Sequence, residues 1–261
     1  MLDRGRRMGG ALAALALGTA LNLAPGGAAA AALKIKPLAA GLGFEYFSRT
    51  VVWSGDTVSS KIGAGLITAR ADLGLGRGAT VSLTAGLSLT DFKALSFASL
   101  PISLRLGSPT LKGFALGAET VVPIRKLSDF EISGTGRIVY SFGMSKTWAL
   151  EDFAVAGKAV GESSWLEAAA GPRLSYVVSA WIVPYVEVWA RWLHADFDMT
   201  ETLGDLAGRQ SRSVHGDLEF SVALGADANV TDRIAVKAKA GFLPYAGGVD
   251  GVGTIAILYR F

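Results

Sequence analysis

Side chains able to act on a substrate are few in this sequence. It has two histidines, His194 and His215, and no cysteine, so neither a thiolate nucleophile nor a Cys-based metal site is available. The compact constellation is in WLHADFDMTE, where His194, Asp196 and Asp198 occupy alternate positions. An extended backbone puts all three on one face, and an imidazole beside two carboxylates is a weak candidate for a divalent cation. In a loop, however, such carboxylates are commonly just solvated. A serine nucleophile needs an adjacent base, but GESSW at 161–165 lacks the closing glycine of a nucleophile elbow, and Ser163 and Ser164 read as the end of a loop. The glycine-rich pieces GLGRG and GTGR match neither a phosphate loop nor a dinucleotide fingerprint. No cofactor is expected.

A larger set of ionisable residues shares a different property. Glu45, Arg70, Asp72, Glu119, Arg137, Glu167, Arg173, Glu187, Arg191, Asp217, Glu219, Lys237 and Lys239 all fall on the polar side of short alternating stretches. Their signs nearly match. In a confined space unpaired charges are costly, so the set reads as an internal network of ion pairs. A pore lined by one dominant sign would select ions by charge, and a narrow charge-lined pore is the alternative.

The elements that must hold these residues are strands. In ATVSLTAGLSLT, Ala79, Val81, Leu83, Ala85, Leu87 and Leu89 lie on one face and Thr80, Ser82, Thr84, Ser88 and Thr90 on the other. A helix would scatter them around its circumference. The pattern occurs ten times in all, ending with Ile255, Ile257, Tyr259 and Phe261 against Thr254 and Arg260. The polar face is rich in Gly, Ser, Thr and Ala with isolated charges, which suits the crowded interior of a narrow barrel with its apolar face toward lipid. The expected fold is all-β, an antiparallel up-and-down transmembrane β-barrel of ten strands. Further strands within SFASLPISLRL or WALEDFAVAGKA would make twelve.

The connections alternate as such a barrel requires. GRG (76–78), PIRKLSD (123–129), SAW (179–181) and TDR (231–233) are short, whereas 49–58, 91–110, 144–163, 194–213 and 244–252 are expected as external loops. Aromatic residues sort into two belts, Phe130, Tyr176, Tyr259 and Phe261 at one end and Phe44, Tyr46, Phe142, Trp192 and Phe242 at the other. Upstream, three arginines in the first seven residues, an apolar stretch from Met8 to Leu23 and an alanine-rich region have the layout of a secretory signal. Residues 1–32 are expected to be cleaved after Ala30 or Ala32, leaving 33–261 as the barrel. A net charge of +3 without a basic run gives no reason to expect nucleic acid.

The ending IAILYRF resembles the carboxy-terminal strand of bacterial outer-membrane β-barrel proteins. That resemblance implies an outer-membrane destination and recognition of Ile257, Tyr259 and Phe261 by the barrel-assembly machinery. Lipid is then a partner, with small solutes or an external ligand at the loops as further candidates. The expected role is structural or adhesive, or small-solute passage, rather than enzymatic. Outer-membrane proteases of the omptin family, also ten-stranded, use an Asp and a His two residues apart at the rim, facing an Asp pair. Here the order is His194 then Asp196, and the opposite rim offers Asp91 without a partner, so a protease is the remote alternative.

Overall fold

The computed structural model describes residues 36–261 apart from 55–58, 94–95, 98–103, 106–109, 151–156, 216–217 and 246–247. The expected signal segment and Asp217 therefore lie outside the described residues. The strands are β1 (Lys36–Val52), β2 (Ser59–Gly74), β3 (Thr80–Lys93), β4 (Ser96–Phe97), β5 (Leu104–Arg105), β6 (Thr110–Leu127) and β7 (Phe130–Leu150). They continue as β8 (Gly157–Tyr176), β9 (Ile182–Leu203), β10 (Leu206–His215), β11 (Glu219–Asn229), β12 (Ile234–Tyr245) and β13 (Gly248–Arg260).

Eleven of these strands form one antiparallel sheet that closes on itself, β13 pairing with β1 and β8 with β9. β10 and β11 both pair with β9, His215 opposite His194 and Glu219 opposite Arg191. Together they make a single stave interrupted by an irregularity. The ring thus has ten staves, while the short β4–β5 pairing stands apart from it.

The stagger follows from the register. Stepping across paired residues from Glu219 leads through Arg191, Ala169, Arg137, Glu119, Ser82, Asp72 and Ala39 to Arg260. The Arg260 N–H then bonds to Arg233 O at 2.7 Å. The β11–β12 register, Val222 opposite Phe242, instead brings Glu219 level with Tyr245, so the ring closes with a slip of 245 − 233 = 12 residues. A staggered ring tilts its strands by about 35–45°, and ten staves ~4.8 Å apart then enclose a backbone cylinder roughly 20 Å across.

The two faces of this wall exchange character partway up. Toward the end where β1 begins and β13 finishes, Leu42, Ile67, Leu87, Leu116 and Ile257 are exposed on the outside, while Asp72, Arg137, Glu187 and Lys239 are buried inside. The outer apolar band is bounded by exposed Phe130, Tyr176, Trp181, Tyr259 and Phe261 below and by Tyr46, Phe114, Tyr140, Phe220 and Phe242 above. On β1 it runs from Leu38 to Tyr46, which at ~3.3 Å per residue on a strand tilted by about 40° is roughly 20 Å of height. Beyond the upper belt the outside carries exposed Lys112, Lys158, Glu162 and Asp196. The inside there is apolar, with Trp53, Ile62, Phe92, Leu111, Trp165, Phe197 and Met199 all at or below 2% exposure.

This exchange corrects the expected loops. The segment 194–213 is a hairpin of β9 and β10 turning at Gly204 and Asp205, with Gly204 at φ 57°, and much of 144–163 belongs to β7 and β8. Ser163 is not at a loop end but inside β8, donating to Asp196 O at 2.8 Å. These segments still alternate, but with the apolar residues inward because water rather than lipid surrounds them. The expectation of a polar interior likewise holds for the lower part of the lumen and fails for the upper part.

The apolar packing dominates the stability of the upper section. Phe197→Ala, which removes a ring packed edge-on against Phe92 at 5.2 Å, is expected to cost about 3–5 kcal/mol. Leu87→Ala, on the lipid face, should cost less than half as much. Urea unfolding of refolded protein, followed by tryptophan fluorescence, tests this, and equal midpoint shifts would contradict the assignment of the upper interior as a core.

Candidate functional site: the lumen

Inward positions along each strand bring charges from distant staves into one space. Lys237 Nζ reaches Asp72 at 2.7 Å, Asp72 holds Arg70 Nε at 2.8 Å, and Arg70 Nη1 reaches Glu119 at 3.2 Å. Glu119 takes Lys239 at 3.4 Å, Lys239 takes Glu187 at 3.1 Å, and Arg173 links Glu187 at 3.7 Å to Asp227 at 2.8 Å. These eight residues form a chain of alternating sign that crosses the lumen from β12 and β2 through β6 to β9, β8 and β11.

A second tier lies above it. Arg137 pairs with Glu45 from β7 to β1 across the lumen, Arg191 Nη1 meets Glu167 at 2.5 Å, and Arg49 Nε meets Glu219 at 3.0 Å. Hydrogen bonds hold these groups in place: Trp189 Nε1 donates to Glu187 at 2.9 Å, and Arg191 Nε donates to Ser221 at 2.8 Å. The Arg173 guanidinium lies 3.4 Å from the centre of the Tyr185 ring. Close pairing in a low-dielectric space is what permits so many buried charges.

Of the thirteen charged residues singled out from sequence, Asp217 lies outside the described residues, and the other twelve meet partners inside the barrel. The spacing gave no indication of which acid meets which base. Arg49 was missed because it falls in a stretch read as loop, although it continues the inward alternation of Glu45 and Phe47. Asp250, 3.0 Å from Lys61 near the upper end of β1, was missed for the same reason, and Lys61 fell between the expected loop 49–58 and the alternation read from Thr68 onward.

Below the eight-charge chain the lumen opens into a vestibule of about 370 Å³ that reaches the terminal rim at Gly78, Pro123 and Val177. Above the second tier, the apolar cluster around Phe47, Trp165 and Leu193 closes it. The space is a dead end.

His194, Asp196 and Asp198 lie elsewhere, on the outside of β9 above the upper aromatic belt. His194 Nε2 is 3.0 Å from Asp196 Oδ2, its ring stacks on Trp192, and Asp198 accepts from Ser211. No group of three or more His, Asp or Glu residues is arranged to hold a metal among the described residues. Asp91 is on the outside of β3, four staves away around the ring, so it and His194 share no cleft.

An outward apolar band between two aromatic girdles on a closed antiparallel ring is the wall of a transmembrane β-barrel. No family model matches the chain, and no curated protein matches it. Among solved structures, the transport unit of the autotransporter AIDA-I from Escherichia coli is similar at 11% identity and a TM-score of 0.48, over 95% of this chain and 98% of its own. The translocator domain of the autotransporter NalP from Neisseria meningitidis has 11% identity and a TM-score of 0.49, over 86% and 89%. The outer membrane protease OmpT from Escherichia coli has 12% identity and a TM-score of 0.45, over 91% and 99%.

The cross-lumen pair should reveal itself in a double-mutant cycle. Glu45→Gln or Arg137→Gln alone strands a buried charge and is expected to lower stability by about 3–5 kcal/mol, whereas the double variant should lose less than the sum of the two. Additive losses in urea midpoints would show that the two groups do not interact.

Proposed function

We propose that this protein is a non-conducting outer-membrane anchor with a structural or adhesive role, its β7–β10 section standing above the membrane as a folded platform. The observation that carries this reading is the closed upper lumen. Trp53, Ile62, Phe92, Leu111, Trp165 and Phe197 fill it at 0–2% exposure, and solute passage would require this packed core to move aside. The polar lower lumen supports the same reading, because its charges neutralise one another instead of presenting one sign to a permeating ion. The absence of a shared cleft between His194, Asp196 and Asp91 favours a non-enzymatic role.

Assembly belongs to the proposal as well. Ile257, Tyr259 and Phe261 stand 58%, 47% and 76% exposed on the lipid side of the last strand, where a membrane-embedded assembly machinery could grip them before β13 pairs with β1. Phe261 also donates its N–H to Leu38 O at 3.3 Å, which ties the tail to the closing seam.

Planar-bilayer recording of refolded protein tests the closed lumen. No step openings are expected over a range of salt concentrations, and regular openings would overturn the anchor reading. Phe261→Ser should reduce the heat-modifiable, outer-membrane fraction of the expressed protein severalfold while leaving refolding in detergent intact. Unchanged membrane yield would remove the tail from the assembly step.

A further inference from the structure

The chain has two histidines, and the fold brings them level. His194 on β9 and His215, the last residue of β10, stand directly opposite each other in the hairpin. Residues so paired share one face of the sheet, here the outer face above the upper aromatic belt. The pair is also of the closer kind. Ser54 N–H donates to Ser213 O at 2.9 Å, and Ser213 N–H donates to Ser54 Oγ at 3.2 Å, so Ser213 directs its backbone groups away from β9. Alternation does the same for His215, two residues on, which makes the two histidines a non-hydrogen-bonded pair with Cα atoms about 4.5 Å apart.

The surroundings of His194 match those of a metal ligand. Its Nε2 stands 3.0 Å from Asp196 Oδ2. Bonds of about 2.0–2.2 Å from one ion, at roughly 90–110° to each other, put an imidazole nitrogen and a carboxylate oxygen about 3 Å apart. The ring is held from two further directions. It stacks on Trp192 with 6° between the planes, and the Val214 backbone carbonyl accepts a hydrogen bond from it. A carbonyl in that place fixes the tautomer whose other nitrogen is unprotonated and can take an ion. Asp198 does not belong to the set, because it accepts from Ser211 and lies 3.7 Å from Arg209 Nη2.

We propose that His194, His215 and Asp196 form a surface site for a borderline divalent cation of the zinc class, with water completing the coordination. The described side chains supply two ligands, His194 and Asp196, and His215 brings the third by its place in the register. Two imidazoles and one carboxylate suit Zn²⁺, Ni²⁺ or Cu²⁺ better than Ca²⁺ or Mg²⁺, which take oxygen ligands. The Asp196 side chain is 52% exposed, which leaves the outward position open to water. Such an ion would pin β10 to β9 at the base of their hairpin, where β10 gives way to β11 along the same edge of β9. The site is independent of whether the lumen conducts.

Calorimetry on the untagged barrel refolded in detergent, with zinc chloride as the titrant, tests the site. One ion per chain is expected to bind. His194→Gln and His215→Gln should each weaken binding at least about tenfold, since even a partner outside the ligand set is worth that much, whereas Asp198→Asn should leave it unchanged. Cu²⁺ supplies a second readout, because an ion on His194 sits beside Trp192 and quenches its fluorescence. Trp192→Phe should remove that quenching and keep the Zn²⁺ heat. All four changes lie on the outer wall, and heat-modifiable gel mobility shows that each variant has folded. No heat at about millimolar Zn²⁺, or a His215→Gln barrel that binds as the parent does, would overturn the proposal and reduce the 3.0 Å contact to a plain His–Asp hydrogen bond. A loss in Asp198→Asn equal to that in His194→Gln would overturn it too, by tracing the binding to diffuse acidic charge.

Discussion

The fold depends on one requirement, that every charge enclosed by the wall must meet its opposite. The chain from Lys237 to Asp227 meets it by alternating sign across the lumen, with pair distances of 2.7–3.7 Å. Its links from β12 to β2, from β2 to β6 and from β6 back to β12 tie together staves that share no backbone hydrogen bonds. A change of one residue in the register of any of these strands would turn its charges outward to lipid and leave their partners unpaired. The stagger of the ring and the pairing of the charges therefore specify each other.

The inversion of the wall follows from the same logic applied to solvent. Within the band bounded by Tyr46 and Tyr259 the outside meets lipid, so apolar side chains face out and polar ones are confined within. Above Trp192 the outside meets water, and the preference reverses: Asp196 and Glu162 face out while Phe197 and Trp165 pack inside. One continuous sheet thus serves as a membrane barrel below and as a water-soluble barrel above. The upper section has a dry core and the lower section a wet, charged one, which is why the cavity is confined to the terminal end.

Much of the wall was legible residue by residue. Leu83, Leu87, Phe114, Ile255 and Ile257 were read as outward and are exposed; Arg137, Glu167 and Glu187 were read as inward and are buried. Alternation reports the face of a strand directly, because the side-chain period in a strand is fixed at two. The reading stopped where the alternation changed sense. In HADFDMTETL the apolar members Ala195, Phe197 and Met199 still occupy every second position, but on the side that lower down is polar, and the segment passed for a loop. The signal was a phase reversal in an unbroken period. His194 and Asp196 misled for the same reason, since their shared face looks toward water outside the barrel and not into a cleft.

The sequence by itself determined the all-β class, the strand faces of the lower wall and the two aromatic belts, because each depends on local periodicity and on which side of the wall is apolar. Only the tertiary structure decided which charges pair and where the lumen closes. Most of those relations join residues on different staves, and they are set by ring closure and by the twelve-residue slip between first and last staves, which no local pattern records.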